Sequence, residues 1–119
     1  MKIILVRKYN EEKIPESAIA ISPNVAKSEE EILLAYELAK RAFDRGYNIA
    51  KKFKLEFLLW LAGKTDIKSA LEATAPQKGK SALVIVFGEE KIDGEKKAKI
   101  KKEGNPLDLE RISLSRVKN

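Results

Sequence analysis

The segment from Leu55 to Ala62, LEFLLWLA, contains a single charged residue, Glu56. It is opened by Lys51, Lys52 and Lys54 and stopped at Gly63. A run of this kind has few places to go. It is far shorter than the roughly 20 apolar residues a helix needs to cross a bilayer. It lacks the alternation of a half-exposed strand. What remains is a helix that is apolar on most of its circumference and packed between layers. At about 100° per residue, Leu55, Leu58, Leu59, Leu61 and Ala62 share one broad face, while Phe53, Glu56, Phe57 and Trp60 group on the other. Two readings of that second face stay open. In one, Phe53 and Phe57 pack on a neighbouring element and Glu56 and Trp60 lie at the rim. In the other, a Trp60 rim edged by Lys52 and Lys64 binds a base or a protein partner.

The elements around this helix follow from local signals. KIILVRKY reads as a strand rich in β-branched residues, and AIAIS as a second, stopped by Pro23. A turn around Pro15 separates them. Ser28 to Gly46 is the clearest helix. Ser28 and Glu31 form a capping box, Ile32, Ala35, Tyr36, Ala39, Ala42 and Phe43 share one face, and Gly46 suits a left-handed stop. A short helical turn is expected around Asn48 to Lys51. Thr65 is the expected cap of a further helix over Asp66 to Ala73. SALVIVFG is apolar on both faces, so it reads as a central strand. Residues 89–104 are highly charged and read as a mobile loop or an edge hairpin. In residues 105–119, Asn105 and Pro106 signal a helix start. Leu109, Ile112 and Val117 suit a helical stripe, though an extended reading is also open. The sum is one domain over residues 1–119, an α/β chain of the α+β kind. It should hold a small mixed or antiparallel sheet of about three or four strands packed against about four helices.

Composition narrows the chemistry. The chain of 119 residues has no cysteine and no histidine. Disulfides, Cys/His zinc sites and catalytic schemes built on either residue are excluded. Glu29, Glu30 and Glu31 sit at a helix start, where the dipole accounts for them. GEEKIDG is too acidic to cradle phosphate. The chain therefore reads as no enzyme, with no metal and no cofactor. No signal peptide or membrane span is visible, so a cytoplasmic setting is expected.

Net charge is +6, and its placement says more than its size. Residues 1–50 balance at eight basic and eight acidic groups. Residues 51–87 carry seven basic and three acidic groups. A local surplus that includes Lys51, Lys52, Lys54, Lys64 and Lys68 suits an anionic partner, nucleic acid first. A solvated lysine-rich surface is the alternative.

The order of features across RAFDRGYNIAKKFKLEFLLWLAGKTDIKSAL resembles the archaeal form of the PRPK-binding-protein (TPRKB-like) subunit of the KEOPS complex. The resemblance spans roughly residues 22–88. It is carried by Asn48, Ile49 and Ala50, then Leu55, Glu56, Leu58, Leu59, Leu61 and Gly63, then Ile67, Ala70 and the strand over residues 82–87. The departures are Ala62 for serine, Trp60 for arginine, and Thr65-Asp66 for Arg-Gln. The segment after the strand also does not look like the family's usual helix. The resemblance implies a non-catalytic subunit of a tRNA threonylcarbamoyladenosine-modification complex. It implies docking on a kinase-like ATPase and help in holding the tRNA 3′ CCA end. On that basis the five lysines are the expected tRNA contacts, with Lys64 and Lys68 standing in for the altered turn. Trp60, Leu109 and Ile112 are the expected partner contacts, with core completion the alternative for the last two. Two other functions stay open. One is a free-standing basic RNA-binding protein; the other is a structural adaptor that has lost RNA binding.

Overall fold

The computed structural model describes residues 1–92 and 96–116. Among the described residues four strands and four α-helices, with one 3-10 turn at Glu11–Lys13, give an α+β fold. They run β1 (Lys2–Val6), β2 (Ala18–Ile21), α1 (Glu29–Arg45), α2 (Phe53–Ala62), α3 (Ile67–Thr74), β3 (Ala82–Val86), β4 (Lys96–Lys97) and α4 (Pro106–Ser113). Backbone contacts group the chain into two compact units, each discontinuous in sequence. Met1–Val25 and Ala75–Lys99 form the first; Ala26–Thr74 and the residues from Ile100 onward form the second.

The first unit is the sheet, in the order β2-β3-β1-β4 with every pairing antiparallel. β3 lies between β2 and β1, and all five of its residues are buried, as its unbroken apolar sequence requires. Ile4, Ala18, Val84, Val86 and Ile92 form a core cluster on one face, with Val6, Ile14 and Ala20 against it. The charged segment after β3 supplies an edge strand, since Lys96 and Lys97 pair with Leu5 and Ile4. Two exposed lysines on so short a strand blunt an edge that would otherwise invite pairing with another chain.

The second unit is helical. α1 starts as the capping box requires. The Ser28 hydroxyl accepts from the Glu31 amide at 3.2 Å and donates to the Glu31 carboxylate at 2.9 Å. That carboxylate also accepts the Lys27 amide at 3.1 Å. The next two amides of the helix, Glu29 and Glu30, donate to the carbonyls of Lys101 and Lys102 at 2.8 and 3.0 Å. The charged connector thus satisfies donors that a helix start leaves open. Gly46 ends α1 at φ 76°, the left-handed region that its lack of a Cβ makes inexpensive.

Two local expectations are corrected. Residues 48–51 are not helical; the amides of Ile49 and Ala50 turn to a side chain instead, as described below. The cap of α3 is Asp66, not Thr65. The Asp66 carboxylate accepts the Ser69 hydroxyl at 2.6 Å and the Ser69 amide at 2.9 Å. Those two bonds hold its carboxyl below the ordinary range. Aspartate outranks threonine as a cap, and here it stands one residue before the first helical position. α4 begins as expected, with the Asn105 side chain accepting the Leu107 amide at 2.9 Å and Pro106 at the first helical position. Val117, included in the expected stripe, lies outside the described residues.

Ser28→Ala is expected to cost about 1–2 kcal/mol, because it removes a helix cap and strips a buried carboxylate of one donor. Urea denaturation checks this. A wild-type midpoint would show that the connector alone holds the start of α1.

Candidate nucleic-acid and partner-binding site

α2 packs against α1, α3 and α4, and this sets the environment of every candidate residue on it. At its start the Phe53 ring meets Tyr36 edge-on, with centroids 5.6 Å apart, and tilts against Phe43 at 5.7 Å. The α1 face therefore receives Phe53, as one reading of the wheel anticipated. At the far end α2 stops at Gly63, φ 68°. There Arg111 of α4 donates to the Leu61 carbonyl at 3.4 Å, a long bond that places a cation at the negative end of the helix dipole.

Between these ends the helix is buried all round. Phe57, Leu58, Leu59 and Leu61 are at most 1% exposed, Trp60 is 4% exposed, and Glu56 is fully buried. The wheel placed Glu56 and Trp60 opposite Leu58, at a rim. The structure corrects this, because a second layer covers that side too. The residues that do so come from the α4 end of the chain, some 50 positions downstream, and no periodicity within α2 reveals them.

Glu56 survives there because its carboxylate is fully engaged. One oxygen accepts the amides of Ile49 and Ala50, both at 2.9 Å. The other accepts the Trp60 indole N–H at 3.1 Å. It also lies 2.6 Å from Nη1 of Arg116. The Arg116 guanidinium stacks on the Trp60 ring, 4.0 Å from its centre, a favourable cation–π geometry. Asn48 closes the same loop by donating to the Ala50 carbonyl at 2.8 Å. Residues 48–50 and Glu56, adjacent in the sequence pattern, are thus one hydrogen-bonded structure. Arg116 was absent from the sequence reading. The signal that could have found it was the lone acid in an apolar run, which demands a cation from elsewhere.

The five lysines fall into two groups. Lys51 and Lys52 are exposed and Lys54 is half-buried at the start of α2; Lys64 and Lys68 are exposed beyond its end. A helix of 10 residues separates the groups by about 15 Å. The positive charges of these first three lysines stand at the positive end of a helix dipole, which disfavours them. Among the partner candidates, Ile112 is fully buried and completes the core, so it offers no surface in the free chain. Trp60 is likewise enclosed. Leu109 is half-buried, while its neighbours Leu107 and Leu114 are 74% and 51% exposed. Among the described residues no group of three or more Asp or Glu side chains is placed to hold a metal ion. No described helix is long and apolar enough to cross a membrane.

Fold and site together define a small α+β chain with a buried carboxylate junction, a segmented basic surface and an exposed apolar rim on α4. Comparison with known proteins adds one relationship. Over 63 residues the chain is 46% identical to KEOPS complex subunit Cgi121 of Pyrococcus abyssi. The match covers 53% of this chain and 36% of that protein. No family model matches.

Trp60→Ala is expected to destabilise the protein by about 3–5 kcal/mol, on a par with about 2–5 kcal/mol for Leu58→Ala. Ile112→Glu should lower the melting temperature steeply with no partner present, since it buries an unpaired charge. Thermal melts of the three variants check this. A Trp60→Ala melt close to wild type would return that side chain to the surface.

Proposed function

We propose that this chain is a non-catalytic, cytoplasmic subunit of a KEOPS-type tRNA threonylcarbamoyladenosine-modification complex. In this reading it docks on the kinase-like ATPase subunit and helps hold the tRNA 3′ CCA end. The observation that carries the proposal is the 46% identity to a curated KEOPS subunit over 63 residues. The placement of the lysines supports it, because the groups at the two ends of α2 suit an extended strand better than a single phosphate. Lysine–phosphate contacts release counterions, so affinity should fall steeply with salt.

Docking on the kinase-like partner is assigned to the exposed edge of α4. Leu107 and Leu114, seven positions apart and so on one side, take the role that the sequence suggested for Ile112, while the half-buried Leu109 faces the other way. A short amphipathic helix that shows apolar side chains on its outer side is a common way to meet a groove on another protein.

Reversing Lys51 and Lys54 to glutamate is expected to weaken tRNA binding and flatten its salt dependence, by roughly one unit of log–log slope per lost phosphate contact. Anisotropy titrations at two salt concentrations measure both. Affinity that ignores trimming of the CCA end would overturn that mode of holding. Leu107→Glu should abolish co-elution with the kinase-like subunit while the melting temperature stays within a few degrees of wild type. Retained co-elution would remove α4 from the interface. A free-standing RNA-binding protein would bring down RNA from cell extract without any kinase-like protein.

A further inference from the structure

We infer that Glu56 and Arg116 position the lysine segment at residues 51–54, so that the turn after α4 sets how tightly this segment holds a polyanion. The inference rests on the RNA-holding role proposed above and adds two residues that touch no RNA themselves. The backbone between α1 and α2 has no regular structure over residues 47–52. Its Ile49 and Ala50 amides both end on one oxygen of Glu56. Lys51 follows directly, and Phe53, fixed between Tyr36 and Phe43, holds the other side. The lysines therefore sit between two anchors, and the first is only as firm as the carboxylate.

That carboxylate is fully buried and carries the Arg116 guanidinium as its counter-charge. Without Arg116 a buried anion is stranded, and either water enters or the side chain swings out. Both outcomes release the two amides. The clamp is also imperfectly made. Nη1 of Arg116 is close to Glu56 without hydrogen-bond alignment. Its Nε and Nη2, with the Ser115 hydroxyl, are buried without a hydrogen-bond partner among the described residues. Buried, unmatched donors oppose the closed turn. The turn after α4 and the lysine segment are thus linked through one carboxylate.

The test uses the full chain, unfractionated tRNA as probe, and amide exchange at Ile49 and Ala50 by NMR. All readings are taken where circular dichroism shows the variants folded. Glu56→Gln adds one unit of net positive charge, so charge alone predicts equal or tighter tRNA binding. Positioning predicts the opposite sign: binding about fivefold weaker, with faster exchange at both amides. The double variant Glu56→Ala/Arg116→Ala leaves net charge unchanged and strands no ion, and it should show the same two effects. Wild-type affinity in the folded double variant overturns the inference, and so does tighter binding by Glu56→Gln. If Lys51 and Lys54 reversal leaves tRNA affinity untouched, the RNA role falls instead. The exchange rates at Ile49 and Ala50 then decide alone whether Glu56 and Arg116 order the segment.

Discussion

A carboxylate with no solvent contact must be matched on every side, and Glu56 is the point at which this helical unit meets that demand. Two amides from the loop before α2, an indole from the next turn and a guanidinium from beyond α4 all converge on it. An apolar residue at this position would leave two loop amides and an arginine in the interior without partners. Desolvating an ion pair costs several kcal/mol per ion, so such a pair is weak evidence for stability in its own right. Its consequence is specificity. In the folded chain the loop, α2 and the turn after α4 meet at one side chain, which accepts three hydrogen bonds and pairs with one guanidinium.

The elements whose signals are local were legible from the sequence. The capping box at Ser28, the stop at Gly46, the central strand at residues 82–86 and the Asn105-Pro106 start of α4 all stand where the pattern puts them. The two misreadings nearby are also local in form but not in cause. Residues 48–51 have helix-compatible side chains, yet the amides of Ile49 and Ala50 are claimed by a carboxylate seven and six positions on. Asp66 displaces Thr65 because its side chain reaches both the hydroxyl and the amide of Ser69.

The candidate site was less legible, because burial is a tertiary property. A helical wheel ranks faces by composition, and on α2 it ranked the Glu56–Trp60 side as outer. The partner that closes this side lies 60 residues from Glu56 in the chain, and nothing in the stretch around Trp60 reports it. The same holds for Ile112, expected as a partner contact with core completion as the alternative: the structure buries it fully. Leu107 and Leu114 instead carry the exposed apolar surface of this segment.

The departures from the pattern that the chain resembles acquire physical content in this light. Position 60, read there as arginine, is tryptophan here. One helical turn from Glu56, an arginine would place its guanidinium against that carboxylate directly, as side chains four apart do. Here the guanidinium arrives from Arg116 instead and stacks on the ring that took its place. The positive charge at this junction therefore comes from the turn after α4 and not from α2 itself. The second departure works in the same way. Asp66, where the pattern has a glutamine, takes over the cap of α3. The basic groups of that turn fall to the exposed Lys64 and Lys68 on either side of it. A motif search ordered by sequence position therefore sees losses where the three-dimensional arrangement keeps the charge.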